Sequence, residues 1–89
     1  MTFGIYSICD KLTGFMTPTV DLNDASAMRN FEHAVLSPGS LLNSHSEDYS
    51  LCCVGTFNSD TGEVEPLNPV KVVVSGLSVS LKSMSKEEK

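Results

Sequence analysis

Residues 23–39 read NDASAMRNFEHAVLSPG. Within this stretch Ala27, Met28, Phe31, Ala34 and Val35 fall on one face of a 3.6-residue repeat, while Ser26, Arg29, Asn30 and His33 fall opposite. That spacing predicts an amphipathic helix over about residues 24–37. Asn23 offers a capping oxygen, Asp21 and Asp24 put negative charge near the positive end of the helix dipole, and Pro38 with Gly39 stops the helix. A helix with one apolar stripe must bury it, so the flanking stretches have to supply a surface.

They supply strands. Upstream, Phe3, Ile5, Ser7 and Cys9 alternate with Gly4, Tyr6 and Ile8, and bulk on both faces places this strand centrally in a sheet. Gly14 comes four residues after Asp10, which indicates a longer or bulged connection, and Phe15, Met16 and Thr17 lead into Pro18 as a short edge strand. Downstream, residues 37–48 are rich in Ser, Asn, Pro and Gly and read as a long loop anchored by Leu41 and Leu42, a candidate contact surface. Residues 49–57 return to strand chemistry. Residues 58–62 make a turn with Gly62 supplying a positive φ, and residues 63–67 run back, giving a hairpin over about 49–67. After Pro66, Asn68 and Pro69, residues 70–74 form a valine-rich strand. Leu77, Val79 and Leu81 alternate with Ser78, Ser80 and Lys82, which indicates a further short strand beyond Gly76.

The expected architecture is α+β: a small, mainly antiparallel sheet of four to five short strands with one amphipathic helix on one face. Residues 1–82 form a single domain and residues 83–89 a polar, frayed tail. At 89 residues the chain buries only about 60% of the surface its unfolded form exposes, so the core is thin. No stretch approaches the roughly 20 apolar residues of a membrane span, and the first ten residues lack signal-peptide character; the expectation is a cytoplasmic protein with no membrane contact.

Charge divides along the chain. Residues 1–70 carry Lys11 and Arg29 against nine carboxylates, and residues 71–89 carry Lys71, Lys82, Lys86 and Lys89 against Glu87 and Glu88. Nucleic-acid affinity rests on neutralising phosphates, so an acidic body is a poor start and any DNA contact falls to Lys71, Lys82, Lys86 and Lys89, with Arg29. Cys9, Cys52 and Cys53 read as reduced thiols packed in strands. With His33 and His45 they give no CxxC or HxxxH pair, and no serine elbow or phosphate loop occurs, so neither an enzyme, a metal site nor a cofactor is expected. The aromatic residues lack flanking basic clusters and default to packing. Arg29, His33, Leu41, Leu42 and His45 are the candidate partner-contact residues.

Tyr6 and Asp10, Phe15 and Pro18, Ala27, Arg29 and Phe31 on the helix, then Glu47, Asp48, Tyr49 and Leu51, and finally Gly55, Phe57, Asp60, Thr61 and Gly62, form an ordered pattern over about residues 5–70. This pattern resembles the small non-structural protein of gokushoviruses, the microvirus phages with circular single-stranded DNA genomes. The resemblance implies a viral accessory protein of the host cytoplasm, described as DNA-binding and acting when replication switches to single-stranded synthesis and packaging. Two mechanisms follow. One is an adaptor that docks on a viral or host replication or packaging protein. The other is a single-stranded DNA-binding module whose homo-oligomer gathers several copies of the lysine-bearing C-terminal segment. A thin sheet with open edges gives self-association a place to occur.

Overall fold

A computed structural model describes the backbone of residues 1–87 and the side chains of residues 1–84. The strands are β1 (Thr2–Asp10), β2 (Gly14–Phe15), β3 (Thr19–Asp21), β4 (Tyr49–Asn58) and β5 (Val64–Ser75), and the helices are α1 (Asp24–Leu36), α2 (Leu41–Ser44) and α3 (Gly76–Glu87), with a 3-10 turn at Ser46–Asp48. The fold is the expected small α+β arrangement. All strand pairs are antiparallel, in the order β2-β1-β4-β5, with β3 also pairing β1.

β1 is central, as bulk on both its faces requires. One edge of β1 takes β2 opposite Cys9 and Asp10 and β3 opposite residues 4–6, with Pro18 between them, while the other edge takes the whole of β4. Pro18 breaks the edge strand in two because it has no amide to donate to the ladder. The β4–β5 hairpin turns at residues 59–63, where Gly62 has φ +78°. β5 is one strand with a bulge where an interruption was expected: Pro66 pairs Gly55 and Lys71 pairs Cys53, so residues 67–70 stand opposite Val54 alone. The bulge accommodates Pro69 at a sheet edge and turns Leu67 onto the core.

The helices pack on one face of the sheet. That face presents Tyr6, Tyr49, Leu51 and Cys53, which join Ala27, Phe31 and Val35 of α1 and Val79 of α3 in the core. Val35 is completely buried. α1 keeps the boundaries its sequence signals: the Asn23 side chain accepts from the Ser26 amide at 2.9 Å, and the helix ends at Leu36 before Pro38. Gly4 lets the Tyr6 ring lie down over the strand, since a Cβ at Gly4 would clash with that ring and its hydroxyl.

Two segments differ from expectation. The stretch between α1 and β4 is α2 followed by the 3-10 turn, not a loop. Ser40 caps α2 by accepting from the Asn43 amide at 3.1 Å, and Asn43 Nδ2 donates to the Val35 carbonyl at 2.8 Å, so α2 satisfies an orphan carbonyl at the end of α1. Residues 77–81 are helical, not a strand, and α3 continues through Glu87; residues 88 and 89 lie outside the described residues. The Ser75 hydroxyl accepts from the Ser78 amide at 3.1 Å at the start of α3, and Ser46 and Ser80 share a hydrogen bond at 2.7 Å that ties α3 to the 3-10 turn.

Candidate interaction surfaces

The candidate DNA-contact residues are spread over α1, β5 and α3, and two of them, Lys71 and Lys82, stand against carboxylates. Lys71 lies on β5 opposite Cys53, on the helix-bearing face, and its Nζ donates to Asp24 Oδ2 at 2.5 Å. Asp24, the first residue of α1, also accepts from the Tyr6 hydroxyl at 2.7 Å through its other oxygen. Hydrogen bonds from Lys71 and then Tyr6 hold the Asp24 carboxyl below the usual carboxylate range, and Asp24 in turn raises the Lys71 ammonium. Burial, reinforced by the bond to Asp24, pushes the Tyr6 hydroxyl far above its ordinary value. Lys82 on α3 stands 4.0 Å from Glu32. Arg29 is exposed on α1, and its charge adds to hydrogen bonds from Ser26, the Leu22 amide and Asn30 in lowering Asp21. Lys86 lies on α3, and Lys89 lies outside the described residues.

The candidate contact residues lie on the helical layer. His33 is exposed on α1 and Leu41 on α2; His45 follows α2, its Nδ1 sharing a 2.8 Å hydrogen bond with Ser44 Oγ. Leu42 is half-buried and packs against the core. Beside them stands a feature the sequence reading missed. α3 points Gly76, Val79, Ser80 and Ser83 inward, which leaves Leu77, Leu81 and Met84 exposed at i, i+4 and i+7 on its outer surface. Their helical spacing was the available signal.

A groove of about 510 Å³ runs between α1 and the β2–β3 edge. Tyr6, Ile8, Met16 and Phe31 line it, with Asp21 and Asn30 among its polar groups, where Asn30 Nδ2 donates to Asp21 at 2.9 Å. Its chemistry suits an apolar group carrying a hydrogen-bond donor. The cysteines sit elsewhere in the sheet: the Cys53 thiol donates to the Gly55 carbonyl at 3.4 Å, and burial raises the Cys52 thiol. Among the described residues no group of three or more His, Cys, Asp or Glu side chains could hold a metal ion, and no helix is long and apolar enough to cross a membrane.

Neither the curated proteins nor the solved structures contain a significant match to this chain. A family model does match, over residues 3–79, from the start of β1 to the first turn of α3. The chain therefore belongs to the Phage ORF5 protein family.

Proposed function

We propose that this phage protein is a non-enzymatic accessory factor of the gokushovirus type that docks on a viral or host replication or packaging protein during the switch to single-stranded genome synthesis in the host cytoplasm. The observation that carries this reading is the outer surface of the helical layer. There Leu41, Leu77, Leu81 and Met84 stand exposed, while Lys82 on the same layer faces Glu32. A helix that projects apolar side chains at i, i+4 and i+7 is the shape that inserts into a groove of a protein partner. A DNA-binding surface needs the opposite arrangement, cations free to release counterions from phosphates.

Direct single-stranded DNA binding by an oligomer is the second reading, favoured by the concentration of four of the six basic residues in residues 71–89. The two separate in one experiment. Binding to labelled single-stranded DNA is measured over a salt series for the wild type and for a variant with Lys71, Lys82, Lys86 and Lys89 replaced by glutamine. In parallel, the phage replication and packaging proteins are co-expressed with each and purified through the tagged chain. The adaptor reading expects weak DNA binding in both and retention of a phage protein that Leu81→Asp abolishes. Tight wild-type DNA binding that falls steeply with salt and vanishes in the glutamine variant would establish the DNA-binding reading instead.

A further inference from the structure

The face of the sheet turned away from the helices is uncharged at its paired positions and carries large apolar side chains, with Ser7, Ser50 and Ser75 among its residues. Register places Phe3, Ile5, Val20, Phe57, Val64 and Val72 on it, because Phe3 pairs Phe57, Ile5 pairs Val20, Phe57 pairs Val64, and Val72 pairs Cys52, a buried residue outside the helix-side core. The Phe3 and Phe57 rings stack with centroids 6.5 Å apart. Val20, Val64 and Val72 are each more than half exposed. Where an antiparallel sheet meets water on one side, that side is normally polar. Here Phe3, Ile5, Val20, Phe57 and Val64 stand together at one end of that side, and the molecule contains its own comparison: at the same end of the sheet, beyond the helices, the helix-side face carries Thr2, Thr56, Asn58 and Glu65, all polar.

We propose that this open sheet face is the interface of a two-fold dimer, its occupant the same face of a second copy of this chain. Charge selects the occupant. The chain is net negative by five, which sets copies against each other wherever carboxylates meet, yet no charged residue takes a paired sheet position on this face. It is the surface on which two copies meet without like-charge contact, and a face without charge is complementary to itself under a two-fold operation. Area agrees: the ten residues of β4 by four strands make a face of roughly 600 Å², from about 3.3 Å per residue and about 4.8 Å per strand. Two such faces bury on the order of 1,200 Å², the lower bound of stable specific interfaces. Edge-to-edge pairing is obstructed by Pro18 on one edge and by Pro66, Pro69 and the bulge on the other, so the copies stack as sheets about 10 Å apart.

Light scattering coupled to gel filtration, over a range of concentrations, tests the proposal on the full chain. The wild type is expected to run as a dimer that dissociates on dilution, and a Val20→Glu, Val72→Glu variant as a monomer. Both positions are exposed in the single chain, so circular dichroism and cooperative thermal unfolding should show the variant folded. Leu81→Asp, on the far side of the molecule, should leave the dimer intact. Cys9, half-buried on the open face, provides a second readout: its alkylation rate should fall several-fold as wild-type concentration rises through the dissociation range, and should not change for the double variant. A wild type that stays monomeric at all concentrations, or a dimer that Leu81→Asp destroys and the double variant keeps, overturns the assignment.

Discussion

Replacing Tyr6 by phenylalanine removes one oxygen and, with it, the link between the sheet and the start of α1. The Tyr6 ring is buried, and its hydroxyl donates to Asp24 at 2.7 Å while Lys71 holds the other carboxylate oxygen. A hydrogen bond to a charged acceptor contributes about 1.5–3 kcal/mol net, and the partial exposure of Asp24 places this one toward the low end, at about 1–2 kcal/mol. For a domain of this size that lowers the thermal midpoint by roughly 5–10 °C. The pH dependence separates the bond from mere packing. Asp24 is depressed in the fold, so its contribution is present above the unfolded value near 3.9 and lost as pH falls through the lower folded value. Tyr6 is raised, so its contribution is present below the unfolded value near 10 and lost as pH rises toward the folded value. The difference between wild type and Tyr6→Phe should therefore be a plateau between about pH 4 and pH 10 that narrows on both sides. Urea unfolding at pH 3, 7 and 10.5 measures it. A difference of the same size at all three values would refute the reasoning.

Val35→Ala empties a fully buried site in the contact between α1 and the sheet and should cost about 2 kcal/mol, read as a drop of about 10 °C in the thermal midpoint. Asn23→Ala removes the α1 cap and should cost about 1 kcal/mol, whereas Asn23→Asp should cost far less; urea midpoints distinguish them. A chain ending at Ser75 loses α3 and the buried Val79, and should give up cooperative thermal unfolding because the remaining core is uncovered beside Tyr49 and Leu51. Leu81→Asp, on an exposed position, should change stability by less than about 0.5 kcal/mol while abolishing partner capture, checked by thermal unfolding beside the co-purification.

Local chemistry was legible in the sequence, and the inward face was legible for α1 but not for α3 or for the sheet. α1 was readable because its cap, its stripe and its terminator agree, and the structure returns each of them: Asn23 on the Ser26 amide, Phe31 and Val35 in the core, an end before Pro38. The Gly62 turn and the central position of β1 were readable for the same reason. α3 defeated the reading because its amphipathicity is inverted. Leu77, Val79 and Leu81 alternate as a strand would, and the rule that large apolar residues go inward hides a helix whose inner face is Gly76, Val79, Ser80 and Ser83. Small residues serve there because α3 packs closely against the 3-10 turn through Ser80 and Ser46. The basic residues failed to be legible as a site for a different reason. Lys71 is 47 positions from Asp24, and nothing local indicates that the two meet, so a count of lysines overstates the charge free to meet phosphate. Bulk on both faces of β1 carried two meanings, of which the sequence reading took one. It places β1 centrally in strand order, yet the helices pack on the Tyr6 side, and the side bearing Phe3 and Ile5 has large apolar side chains that no element covers among the described residues. The same inversion on α3 leaves Leu81 outward. Both surfaces break the rule that sorts residues in a self-sufficient monomer, which is the physical ground for assigning each of them a macromolecular partner.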